Sequence, residues 1–414
     1  YGQGDAGNIT INVREQANFD GFDSNTEFFS QVSSTGVSNS VGNAGDIRIT
    51  TGELLFKNGG GISSDNSGKG NSGNIFLDVG NTITFDGVRS SKSPIPSSAM
   101  TTVSNGNGGN IEVNTGSLFL RNGGLMNTAG SPKKNTNDIA NAGNITINAR
   151  DTIELDGKNS GLVTFLNRGV GKAGDIQVTT GSLSANNSAT LFAITSGQGN
   201  AGNININARN TVTFDQGSFA STTVLSNAIG KGGNIEITTG SLFLDNGGFF
   251  STGTQGKGDP GKVKVDVSDS ISLSNSSFIE SNIFPGGEGK GGEIDISAQT
   301  LTLTGKSEIA VSSNGIGDAG DIFLQAETLQ LDNGFITAQT ASTQGGNINL
   351  HISELLLLRN GSQISTTAGT AQAGGDGGNI DINSKFIVAP QNENSDITAN
   401  AFEGIGGKVN IISN

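Results

Sequence analysis

The sequence has no cysteine and no tryptophan, one histidine (His351) and one tyrosine (Tyr1). Without cysteine there is no disulfide, no thiolate metal site and no cysteine nucleophile. A single histidine excludes a multi-histidine zinc site. Proline is scarce, at 6 of 414 residues, and charged residues are only 14%. A disordered chain normally carries more of both. The longest aliphatic run, Leu355 to Leu358, is far short of the roughly 20 residues of a membrane-spanning helix. Basic residues are outnumbered 23 to 37, for a formal net charge of -14. With no Lys/Arg cluster to offset it, that balance argues against a nucleic-acid surface. The chain opens at Tyr1 without a charged-then-apolar leader, which is the reading expected of a processed or excised segment.

Glycine is what the sequence has in excess, at 65 residues, against a usual share of roughly 7%. It shows no three-residue period, so collagen is excluded. Instead it opens a repeated pattern: Gly, then usually Asn or Asp, then Ile, any residue, and an aliphatic. The pattern glycines are Gly7, Gly45, Gly73, Gly109, Gly143, Gly174, Gly202, Gly233, Gly261, Gly292, Gly320, Gly346, Gly378 and Gly407. The mean spacing is about 31 residues, which marks a repeat architecture. Two aliphatics recur in each unit, such as Ile47 and Ile49, Ile145 and Ile147, or Ile380 and Ile382. Residues two apart share one face of a strand, and their polar neighbours mark it as half-buried.

A second strand follows in each unit. It comes after Thr-Gly, as in Leu118 to Leu120, or after Asn/Asp-Thr, as in Ile83 to Phe85. The two versions alternate, giving a two-repeat period that blurs after Gly261. Asn-Gly or Asp-Gly corners come next, as at Asn122-Gly123, where positive φ is tolerated. A short third strand is expected around Ile62, Ile194, Phe250, Ile279, Ile309, Ile336 and Ile364.

Three short strands and three turns per unit predict an all-β right-handed parallel β-helix of about 14 coils, rising roughly 60–65 Å at 4.8 Å per coil. An antiparallel sandwich would read the same Asn-Gly pairs as hairpins, but it needs distinct strands and boundaries near every ~100 residues. A propeller calls for blades of about 40–50 residues. The expected organisation is one shaft over 1–414 with surface insertions at 18–41, 88–100 and 131–140. The prolines avoid the expected ladder cores.

Cycles of Gly-Asn-Ile-x-Ile, Thr-Gly-Ser-Leu-x-Leu and Asn-Thr-Ile-Thr-Phe-Asp resemble filamentous-haemagglutinin-like exoproteins, most of all the large cyanobacterial members. The resemblance covers Gly4 to Ser413. It implies a β-helical shaft, export by two-partner secretion through an outer-membrane partner barrel, and a surface adhesin or fibre role. The family's amino-terminal secretion domain has no counterpart in these residues.

Catalysis is not expected. Carboxylates recur near the pattern position at Asp46, Asp175, Glu293 and Asp321, and only Glu293 and Asp321 fall in adjacent units. Glycoside cleavage needs two carboxylates about 5–10 Å apart, so this pair is the one candidate dyad. A solvated outer row is the plainer reading. No cofactor is expected, although the acidic turns Gly4-Asp5-Ala6-Gly7 and Gly317-Asp318-Ala319-Gly320-Asp321 offer oxygen ligands that suit calcium. No phosphate loop is present. His351 reads as an outward surface residue. Phe19, Phe22, Phe28 and Phe29 form a candidate contact loop. Expected partners are copies of the chain or neighbouring shaft segments, the secretion barrel, and glycans or cell surfaces. Because the pattern runs to both ends, the sequence reads as a segment of a longer shaft or a unit that stacks end to end. A fibre subunit and a polysaccharide-active enzyme are the alternatives.

Overall fold

A computed structural model describes residues 2–20, 30–89, 95–133 and 138–413. The protein is an all-β parallel solenoid. Its contacts group into two compact units, Tyr1–Ala208 and Arg209–Asn414, each wound on the same plan. The helical content among the described residues is a single 3-10 turn, Gln391–Glu393.

In the first unit the ladder Ile9, Ile47, Ile75, Ile111, Ile145, Ile176 runs through successive parallel strands in perfect register. In the second unit the corresponding series is Ile235, Val263, Ile294, Ile322, Ile348, Ile380, Val409. Both aliphatic positions of every coil from Ile47 to Ile382 are at most 3% exposed. Period-two alternation puts them inside, and their Asn, Thr and Glu neighbours outside.

The first two strands expected from sequence lie in one sheet. They are continuous in some coils, such as Ile47–Lys57 and Ile75–Asp86. In others they are broken at a bend, as in Ile111–Thr115 and Ser117–Arg121. The bend explains the two-repeat period. Between Thr51 and Glu53 one residue is crossed, whereas the partner coil needs two between Val79 and Thr82. The longer coil pushes a carbonyl outward: that of Asn81 lies where a side chain at Gly116 would start, and that of Asn210 does the same at Gly240. Thr115 and Thr239 close the short bend by donating to the carbonyls of Ser117 (3.2 Å) and Ser241 (3.3 Å). Short and long bends also alternate over Ala326–Thr328, Ile352–Leu355 and Ser384–Phe386, where the sequence motif had faded.

The short third strands form their own sheet, with Gly61–Asn66, Ser98–Val103, Leu125–Gly130, Gly161–Leu166 and Thr190–Thr195 in the first unit. The third strands expected around Ile62, Ile194, Phe250, Ile279, Ile309, Ile336 and Ile364 are all present. All but Ile194 of these side chains point inward; in its strand Leu191, Ala193 and Thr195 fill the interior, and Ile194 is half-buried on the outer face. A narrow third line was not anticipated. It comprises Gly106–Asn107, Ile139–Asn141 and Val170–Lys172 in the first unit. In the second unit it is reduced to single bridges from Ile229 through Lys257 and Glu288 to Ile316. The ranges 18–41, 88–100 and 131–140 contain parts of coil strands, including Gln31–Gly36, Ser98–Val103 and Ile139–Asn141.

Pattern glycines stack directly on one another. A Cβ on Gly174 would fall well inside contact distance of the Gly143 carbonyl oxygen, and one on Gly143 would meet Gly109 in the same way. Opposite them runs a buried row of hydroxyls. Thr101, Thr128 and Thr164, all 0% exposed, donate to the carbonyls of Gly109, Gly143 and Gly174, each at 2.5 Å. Thr222, Thr252 and Thr366 repeat the bond in the second unit. These hydroxyls satisfy carbonyls that would otherwise be buried without a partner.

Candidate binding surface

The residue after each pattern glycine begins the outer wall. In most coils it is Asn or Asp, whose side-chain oxygen accepts a backbone N–H of the next coil; Lys262 and Glu293 interrupt the series and pair with each other instead. In the first unit Asn8 accepts from Asp46 (2.8 Å), Asp46 from Asn74 (2.7 Å), Asn74 from Asn110 (2.9 Å), and Asn144 from Asp175 (2.9 Å). Asp321, Asn347 and Asn379 do so in the second. The recurrence of Asp and Asn there is therefore cohesion between coils. Glu293 and Asp321 do sit on adjacent rungs, but each is engaged. Glu293 pairs with Lys262 at 2.7 Å, which also holds Asp295 at 3.0 Å. Asp321 takes both the backbone and side-chain nitrogens of Asn347 at 2.9 Å.

The acidic turns behave alike. Asp5 accepts from the Asn43 backbone at 2.7 Å and Asp318 from Gln344 at 3.2 Å. Among the described residues no three His, Cys, Asp or Glu side chains group as metal ligands. Phe19 stands in the strand Gln16–Phe19, and its ring stacks 4.7 Å from the buried Phe56. It joins the column Phe19, Phe56, Phe85 rather than a loop. Phe22, Phe28 and Phe29 lie outside the described residues.

Two outer surfaces carry chemistry that sequence reading missed. The first is on the short-strand sheet of the second unit. Phe219, Phe249 and Phe278 stack with centroids 4.6 and 4.5 Å apart. Beside them, the carboxylate of Glu280 accepts from Ser251 and from Asn282, each at 2.7 Å. Glu308 stands in the next coil and accepts from Thr337 at 2.6 Å. Burial pushes the Glu280 carboxyl up to about 7, the Glu308 charge adds to that, and the Ser251 and Asn282 hydrogen bonds oppose it. The two strands pair with an offset of 30 residues, so Glu308 lies opposite Phe278 and Glu280 opposite Ala310.

A measurable consequence follows from linkage. The folded protein holds the Glu280 proton more tightly than the unfolded chain does. Stability from this group is full below pH ~4.5 and is lost as pH rises through about 7, by up to about 3 kcal/mol. Urea midpoints of Glu280→Gln should therefore approach or exceed those of the parent at pH 8, with a smaller advantage at pH 5. Identical pH dependence in the two proteins would contradict this account.

The second surface is a depression of about 370 Å³ on the main sheet, lined among others by Phe323, Gln325, Asn349, His351, Asp381 and Asn383. Phe323, Asn349 and Asp381 form one outward row, and Gln325, His351 and Asn383 the next. Phe323 is 39% exposed, and His351 is exposed, as the alternation required.

Similarity to known proteins fits this architecture. Over 141 residues the chain is 30% identical to the adhesin BmaC autotransporter of Brucella suis biovar 1 (strain 1330). The alignment covers 30% of this chain and only 4% of the adhesin. No family model matches the chain, and no solved structure matches it. Among the described residues no helix is long and apolar enough to cross a membrane.

Proposed function

We propose that the chain is a non-enzymatic adhesive shaft of a filamentous-haemagglutinin-like exoprotein of the cyanobacterial kind. It is displayed outside the cell after two-partner secretion through an outer-membrane barrel. In this reading it winds as a right-handed β-helix with one three-stranded coil for each of the fourteen pattern glycines, and its neighbours are further coils of the same sort. The observation that carries the reading is the outer row of Asn and Asp side chains. Their acceptor oxygens hold the next coil, so the most regular polar chemistry serves extension rather than turnover. The similarity to an autotransporter adhesin supports the same reading.

An antibody raised against this segment should label intact cells that carry the gene. Labelling only after permeabilisation would sink the surface role. Incubation with polysaccharides should release no reducing ends; release abolished by Glu280→Gln or by Asp321→Asn would instead establish an enzyme.

A further inference from the structure

The outward rows differ between the two units at one position of the coil. In the first unit, three successive residues at the second outward position of the main strand are tied from coil to coil. Asn114 donates to Asp78 at 2.9 Å, and Asn148 donates to Asn114 at 3.1 Å. Asp78 also holds Arg48 at 2.8 Å. The hydrogen-bonding groups of this row are largely used by the wall itself.

In the second unit the same position is occupied by Gln325, His351 and Asn383. None of these three side chains, nor that of Asn349 beside them, bonds to another described residue. Their donors and acceptors face the depression of about 370 Å³, with Phe323 at its side. A volume of this size falls in the roughly 300–1,000 Å³ range of small-ligand sites.

We infer that this depression is a binding site for an extended neutral oligosaccharide. The lining chemistry selects that class. The amides, with the Asp381 carboxylate that also accepts from Asn410 at 3.1 Å, offer paired donors and acceptors that match vicinal hydroxyls. A phenyl ring offers a flat apolar face for the C–H side of a sugar ring. No Lys or Arg is among the lining residues, so a phosphate or sulfate has no counter-charge. At Phe323, Gln325, Asn349 and His351 a β-strand partner has no edge to pair with, because the strands Asp321–Asp332 and Ile348–Arg359 are hydrogen-bonded to neighbours on both sides. The rungs repeat at about 4.8 Å, which presents similar groups to successive units of a chain lying across the coils. The inference rests on the adhesive reading for its biological meaning, and names what the shaft would hold.

Isothermal titration with the β-1,4- and β-1,3-linked hexamers of glucose and the β-1,4-linked hexamer of N-acetylglucosamine tests it, with a heparin hexasaccharide as the anionic arm. At least one neutral hexamer should bind with a Kd near or below about 1 mM. Phe323→Ala and Asn349→Ala should each weaken it by about tenfold or more, with urea midpoints unchanged. Phe243→Ala, another exposed ring on the outer wall at 39%, should leave binding intact. Absence of binding to every neutral hexamer, binding that survives both substitutions, or binding of heparin alone would overturn the proposal. Surface labelling of intact cells is independent of all these outcomes, so the site can fail while the shaft reading stands.

Discussion

Replacing Gly174 with alanine is expected to destabilise the first unit by about 3 kcal/mol or more, although it adds one methyl group to an otherwise apolar wall. The added carbon would collide with the carbonyl oxygen of Gly143. That oxygen belongs to backbone already bound in the coil below, so no flexible side chain can give way. The same carbonyl accepts the Thr128 hydroxyl at 2.5 Å, and Gly174 receives that of Thr164. A shift to relieve the clash would therefore loosen two cross-tube hydrogen bonds. Gly80→Ala is the matched control. Its nearest atoms would be 3.8 Å away, and the change should move stability by no more than about 0.5 kcal/mol. Urea unfolding followed by circular dichroism reads both. Equal midpoints for the two variants would refute the close-stacking account.

The second large effect is expected at Phe56. Its ring is fully buried and lies between Phe19 at 4.7 Å and Phe85 at 4.8 Å, with interplanar angles of 12° and 10°. The stacking distance is close to the spacing of paired strands, so the rings align because the coils do. Phe56→Ala leaves a cavity that neighbouring coils cannot collapse into without breaking register. A loss of about 3–5 kcal/mol is expected. Phe119→Ala removes a half-buried ring from the outer wall, where Arg121 lies 4.4 Å from its centroid, and should cost no more than about 1 kcal/mol. If the two substitutions lower the urea midpoint equally, the phenylalanine column is not what holds these coils.

The aliphatic ladder was legible from sequence because it satisfies two independent constraints, period two within a strand and a constant place after a glycine. Ile47, Ile75 and Ile111 meet both, and they pair in register. The inner hydroxyls were not legible. Thr128 and Thr164 stand two residues after Met126 and Leu162, which marks them as inward. Yet Thr is also common on outer faces and in turns, and only the carbonyls of Gly143 and Gly174 explain a polar group inside the tube. Ile194 is the opposite case: it lies in the strand expected around it, and the alternation set by Leu191 and Ala193 turns its apolar side chain outward. The surface site was hidden because its meaning is comparative. Gln325, His351 and Asn383 look like any polar wall until Asp78, Asn114 and Asn148 show how such a row is normally tied together.

The passing of one acceptor from coil to coil has a further consequence. Asp46, Asn74 and Asn110 each present the same oxygen upward and the same N–H downward. Coils that carry Asn or Asp at this position therefore fit on one another, and the bond does not record which coil it joins. A gene encoding such a wall can gain or lose a whole repeat by unequal recombination, and the protein closes over the join. Reach becomes a heritable quantity that changes in steps of one coil, without a new fold having to be found.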